Sequence, residues 1–225
     1  MLYNVVMLYK YPRTPHLPFS KGVGDDDLVM KDTSSLENAR ELVWTEKMDG
    51  ENITVYPDGT FHSRSLDAPH KHYHSYLQGV IIPKIMTKMK AYTMGKDLRV
   101  CGEYMYARHA IPYDDLADFF LVHSIWNGDI CLSYWMTKHL CEAWGLKMVP
   151  RLCINPWNDV TIKSLVNNTD KGAREGFVVR NSEAFEYKDF QKNVAKYVRA
   201  NRPITPPNWG GREHNKLWKK NIDKS

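Results

Sequence analysis

The chain has few cysteines and no long apolar run. Cys101, Cys131, Cys141 and Cys153 are widely spaced and include no Cys-x-x-Cys pair, which argues against a zinc site and a disulfide framework. No apolar stretch approaches the roughly twenty residues that a membrane helix needs, so no membrane partner is expected. Charge arrives at Lys10 and Arg13, too early for a signal peptide, and the expected location is the cytoplasm. Also missing are an internal repeat and, ahead of the C-terminal tail, a long basic run.

What is present is the balance of a soluble globular protein: 225 residues, 43% hydrophobic and 25% charged. Seven Trp and thirteen Tyr are core material first and flat faces for a base second. A net charge of +5 is compatible with a polyanionic partner without requiring one.

In order, residues 1–8 read as a buried strand, followed by a Pro- and Gly-punctuated loop carrying Lys10, Arg13, His16 and Lys21. Residues 34–43 read as a short helix. Leu42–Trp44 begins a strand that delivers Lys47-Met48-Asp49-Gly50, and Pro57-Asp58-Gly59 turns a hairpin whose second strand carries Arg64 near the same site. His70, His72 and His74 read as solvated rather than metal-bound. A helix over 75–93 is broken or restarted at Pro83. Strands follow at 97–106 and 118–126, then a helix from the Ser133 N-cap to Gly145, a strand at 147–154, a helix at 158–168, and strands at 174–180 and 193–199. The end of the chain is Pro-rich, then basic.

Lys47 stands where a strand end strips part of its water, the setting of a nucleophilic lysine. Asp49 is placed to bring a divalent cation to whatever the lysine attacks, and Gly50 lets the backbone turn beside a ligand. Successive strands then deliver Arg64, Glu103, an aromatic at Phe119 or Phe120, Glu175 and Lys196. A nucleophile, carboxylates, an aromatic face and further cations form an inventory for attack on a nucleotide phosphate.

The order resembles the covalent nucleotidyltransferase superfamily of ATP-dependent RNA and DNA ligases and mRNA-capping guanylyltransferases. Lys47–Gly50 looks like its first motif, Cys101-Gly102-Glu103-Tyr104 the third, Phe119–Ile125 the aromatic motif, Glu175–Val179 the fourth and Val194–Arg199 the fifth. Glu46–Asn52 and Ser63–Asp67 look like the compact, phage-like RNA ligases, and 26 residues after Arg199 are too few for an OB-fold domain. The resemblance implies an α+β nucleotidyltransferase (ATP-grasp-like) fold, antiparallel sheets flanked by helices around an ATP cleft, over residues 1–200, with 201–225 a short basic tail.

It also implies an ATP-dependent RNA ligase joining 5′-phosphate and 3′-hydroxyl RNA ends, using Mg²⁺, for which Mn²⁺ substitutes. Lys47 would form a lysyl-adenylate. Glu46 would lie against the adenine edge, Glu103 on the ribose and Phe120 on the base, with Phe119 its rival. Lys196 would contact the α-phosphate, and Arg64 would count among the catalytic and ATP-binding residues. Glu175 and Asp49 would hold the metal, and Asn52, Arg64 and Arg199 would serve the RNA end. The chain departs from the pattern at Val198, where a second lysine is usual, and at His123-Ser124, where the aromatic motif often ends in an acid. The other readings are a GTP-dependent guanylyltransferase and a nucleic-acid end-binding protein without nucleotidyl transfer.

Overall fold

The computed structural model describes residues 7–92, 97–202, 204 and 213–217. Among them two sheets face each other. One contains β1 (Leu42–Lys47), β8 (Arg151–Asn155), β9 (Gly176–Asn181) and β11 (Val194–Val198), in the order β11-β9-β1-β8. The other runs β10 (Phe185–Glu186), β6 (Ile130–Cys131), β5 (Phe120–Asn127), β4 (Leu98–Tyr104), β2 (Glu51–Val55), β3 (Phe61–Ser63). Pairing is antiparallel except that β7 (Lys147–Met148) runs parallel to β5.

Side-chain alternation sorts the first sheet into a core face and a cavity face. Leu42, Trp44, Phe177, Val179, Ala195 and Tyr197 are buried together beside α4 (Asp159–Asn168), which contributes Leu165. The intervening residues Thr45, Lys47, Val178, Arg180, Val194 and Lys196 line a cavity between the sheets. In the second sheet, Ile53, Val100, Tyr104, Phe120 and Val122 pack away from that cavity. They meet α2 (Ile82–Ala91) through Ile82, Ile85 and Met89, and α3 (Tyr134–Trp144) through Leu140 and Trp144.

Local chemistry accounts for the boundaries. Ser133 Oγ accepts from Met136 N and Gly145 sits left-handed at φ 67°, so α3 is capped where expected. Pro83 occupies the first turn of α2, where its missing N–H does no harm, and a π-helical turn at Leu77–Ile81 precedes it. Gly59 takes φ 91° in the β2–β3 turn. Pro150 divides the strand expected at 147–154 into β7 and β8.

Two expectations need correction. The helix at 34–43 is a single turn, α1 (Ser34–Glu37), because β1 claims the chain from Leu42. In the strand expected at 1–8, residues 1–6 lie outside the described set, and Met7 and Leu8 are exposed and outside any strand.

Gly176 is the tightest contact in the first sheet: a Cβ there would lie 2.0 Å from Tyr197 O on β11. Gly176→Ala is expected to destabilise the fold by about 3 kcal/mol or more in urea titration. Gly79, with nothing within 4 Å of a built Cβ, is the control: Gly79→Ala should be neutral or stabilise by up to about 1 kcal/mol.

Candidate active site

The cavity between the sheets gathers Glu46 and Lys47 from β1, Asn52 from β2, Glu103 from β4, His123 from β5 and Lys196 from β11. β1 pairs with β9 so that Lys47 faces Gly176, which brings the preceding residue, Glu175, within reach. Lys47 Nζ lies 2.5 Å from Glu175 Oε2, and Arg202 Nη1 lies 3.2 Å from Oε1. Glu175 is buried and its two oxygens are divided between two cations, as a desolvated carboxylate requires.

Lys196 Nζ is 3.3 Å from Asp27 Oδ1, whose other oxygen lies 3.2 Å from His16 Nε2. Burial, opposed in part by Asp27, holds the Lys196 ammonium below the usual lysine range. The irregular N-terminal loop is thus tied to β11: Leu17 N donates to Lys196 O and Lys196 N to Pro15 O.

On the facing sheet Asn52 and Glu103 are cross-strand partners. Gly50 N donates to Glu103 Oε1 at 3.2 Å. Burial pushes the Glu103 carboxyl up to about 7, against the opposing pull of the Lys47 charge and the Gly50 amide. Burial likewise raises Glu46.

His123 is the residue that the sequence reading missed. Cys101 pairs with Ser124 and Gly102 with Val122, so His123 is the extra residue of a bulge in β5. A bulge re-aims one side chain, and here it turns the imidazole into the cavity. Asn52 Nδ2 donates to His123 Nε2 at 2.9 Å, and the ring's Nδ1 is 3.1 Å from Ser124 Oγ. Burial, with the Arg180 charge, lowers His123 to about 3, keeping the imidazole neutral. Tyr11 meets it edge-on at 4.8 Å and also lines the cavity.

Arg180 forms the floor. Its guanidinium donates to the carbonyls of Leu132 at 3.1 Å and His123 at 3.4 Å. Among the described residues it has no carboxylate within 4 Å, so the cavity carries a buried cation without a counter-ion.

Several predicted residues fall elsewhere. Phe120 is 2% exposed in the helix-side core, its ring tip 2.7 Å from where a Gly102 Cβ would stand; alternation from the Glu103-bearing strand turns it away from the cavity. Phe119 packs at the core edge, and neither ring lines the cavity. Asp49 Oδ2 accepts from Ala110 N and Ile111 N, both at 2.9 Å, so it braces a loop. Arg199 donates to the carbonyls of Arg174 and Asn201 and closes the end of β11. Arg64 is exposed and lines a neighbouring depression.

The described part of the tail is not a free end. Asn215 Nδ2 donates to Met105 O and its Oδ1 accepts from Tyr113 N, while Lys216 pairs with Asp114 and Glu213 with Arg108. Arg212, Lys219 and Lys220 lie outside the described residues. His74 is buried and bonded to Glu51, which corrects the solvated reading for that histidine. No group of three His, Cys, Asp or Glu placed to hold a metal occurs among the described residues, and no described helix is long and apolar enough to cross a membrane.

The Glu103 geometry fixes a pH dependence. Its folded value of about 7 lies above the ordinary carboxylate value, so between the two the folded state holds a proton that the unfolded state has lost. That contribution is fully present below the unfolded value and disappears as pH rises to about 7. Glu103→Gln should therefore flatten the fall in stability between pH 5 and 8, read from urea midpoints across that range.

The comparisons with known proteins agree with this architecture. No curated protein matches the chain. An archaeal ATP-dependent RNA ligase superposes with a TM-score of 0.57 at 14% identity, covering 85% of this chain and 48% of that one. A protein from Aquifex aeolicus described as an ATP-dependent DNA ligase gives 0.57 at 19%, covering 86% and 51%. A variant of the Naegleria gruberi RNA ligase, solved with ATP and Mn, gives 0.54 at 16%, covering 84% and 57%. The chain spans about half the length of these structures and shares their fold. Residues 40–198, from just before β1 to the end of β11, match the RNA ligase family, and the chain belongs to that family.

Proposed function

We propose that this chain is an ATP-dependent RNA ligase that joins 5′-phosphate and 3′-hydroxyl ends through a lysyl-AMP on Lys47. The observation that carries the reading is the convergence of Lys47, Glu103, Glu175 and Lys196 on one cleft from separate strands and strand ends.

In the structure Lys47 is paired with Glu175. Attack needs the Nζ lone pair, so the ammonium gives up a proton and the ion pair opens. The P–N bond to the α-phosphorus forms as the bridging P–O bond to the β-phosphate breaks, and pyrophosphate leaves. Lys196 lies on the same face of the sheet as Lys47 and neutralises charge on the α-phosphate. Glu103 accepts from the ribose hydroxyls. The imidazole of His123 and the Tyr11 ring replace Phe120 as the faces available to the base. Asn52 Oδ1, buried without a hydrogen-bond partner among the described residues, is an acceptor for a substrate donor in the later steps.

A divalent cation fits this donor set as one protein carboxylate, Glu175, completed by phosphate oxygens and water. When bound it would supply charge neutralisation at the phosphates. The family match supports RNA as the substrate, and selection against DNA would rest on 2′-hydroxyl contacts.

Three outcomes test the reading. α-Labelled ATP should leave label on the wild-type chain in a denaturing gel and none on Lys47→Ala. Label from GTP alone would make it a guanylyltransferase, and no label from either, on folded protein, would leave an end-binding protein. His123→Ala should raise the ATP concentration for half-maximal labelling about tenfold, in line with about 1–3 kcal/mol for a stacked base, and His123→Phe should restore it. Asn52→Ala should spare adenylation and slow sealing of a pre-adenylated RNA; equal losses in both would remove Asn52 from the later steps.

A further inference from the structure

Beside the nucleotide cavity lies a second depression, open and wider, of about 520 Å³ against about 160 Å³ for the first. Its cations are Lys10, Arg13, Arg64 and Lys188, and no carboxylate lines it among the described residues. Arg13 lies 3.6 Å from Asp26, and Lys188 2.7 Å from Glu186, an exposed pair that solvent screens. Among the described residues Lys10 and Arg64 have no carboxylate within 4 Å. Four cations without lining acids make a concave positive surface, the kind that concentrates a polyanion.

The depression shares a wall with the nucleotide cavity. Tyr11 and Phe190 border both, so the segment Lys10–Arg13 presents Tyr11 to one side and its cations to the other. The segment is anchored: Tyr187 Oη donates to Lys10 O at 2.6 Å, and Arg13 Nη1 to Asp26 O at 2.5 Å. The Tyr187 ring adds a flat face at the trough.

We propose that this trough holds the phosphate chain of the nucleic-acid strand whose 5′-phosphate receives the adenylate, with Lys10, Arg13 and Lys188 as its binding residues. The proposal rests on the ligase reading for the direction of the strand, whereas the trough's affinity for a strand stands apart from it. The width and openness suit a chain of phosphates more than one buried anion, and the shared wall sets the end of that chain beside the nucleotide.

The test is anisotropy of a short 5′-phosphorylated, 3′-labelled RNA, without ATP, across a salt series, on wild type and on Lys10→Ala/Lys188→Ala. The variant should bind about tenfold more weakly, and its salt slope should be shallower by about 1.4, the share of two lost single-strand phosphate contacts. Adenylation by α-labelled ATP should be unchanged, and Lys10→Arg/Lys188→Arg should bind as wild type. RNA binding and salt slope equal to wild type in the alanine variant would overturn the proposal. So would displacement of the RNA by inorganic pyrophosphate together with reduced adenylation, because the trough would then hold the nucleotide's own polyphosphate. Loss of RNA binding in the variant with no adenylation even in wild type would sustain the trough and sink the ligase reading.

Discussion

The site depends on the register between β1, β9 and β11. Lys47 and Val198 both stand opposite Gly176, and the preceding residue, Glu175, is drawn beneath Lys47 with Arg199 N donating to its carbonyl. A carboxylate this buried is tolerated only when paired, and the register supplies Lys47 on one oxygen while Arg202 reaches the other. The glycine is part of the same constraint: the Tyr197 carbonyl approaches so closely that no side chain fits. Lys47, Glu175 and the strand spacing are therefore one geometric decision. A slip of one residue would turn Lys47 into the apolar core.

Around the cavity, burial goes without full compensation. Glu103 has one amide hydrogen bond and distant positive charge, and its carboxyl rises accordingly. Arg180 has carbonyl partners where an acid would be expected, and His123 beside it is held neutral. A cavity with Lys47, Lys196 and Arg180 on its walls and its acids paired or raised favours an anionic ligand. The adjoining basic trough extends that field outward.

Much of this was legible in the sequence. Period-two alternation and turn residues located β1, the β2–β3 hairpin, β9 and β11, and the Ser133 and Gly145 signals bounded α3. Lys47 and Glu103 were readable from their strand-end positions, Lys196 from a late strand, and Glu46 and Asn52 through the resemblance to the family motif; all five line the cavity. What was not legible depends on features without a local signature. The β5 bulge exists only in the pairing with β4, and it decides that His123 rather than Phe119 or Phe120 faces the cavity. The departure at His123-Ser124 was visible, but a substituted motif position does not reveal which way its side chain points. Tyr11 and the Lys10–Arg13 wall come from an irregular loop, where no periodicity indicates what the chain packs against.

Asp49 shows how motif identity and role separate. Its position two residues after Lys47 suggests a metal ligand, yet one oxygen receives two backbone N–H groups of the 110–111 segment. Tyr113 Oη accepts from Asp49 N at 3.1 Å, and Tyr113 N in turn donates to Asn215. A carboxylate held by several amides is a rigid joint, and this one links the turn that follows Lys47 to the 105–118 loop and, through it, to residues 213–217. Unlike Glu175, whose two partners are side-chain cations that a bound ligand can displace, Asp49 is fixed by backbone. The physical distinction is in the donors: mobile ammonium and guanidinium groups leave a carboxylate free to exchange partners during chemistry, whereas main-chain amides commit it to holding the loop.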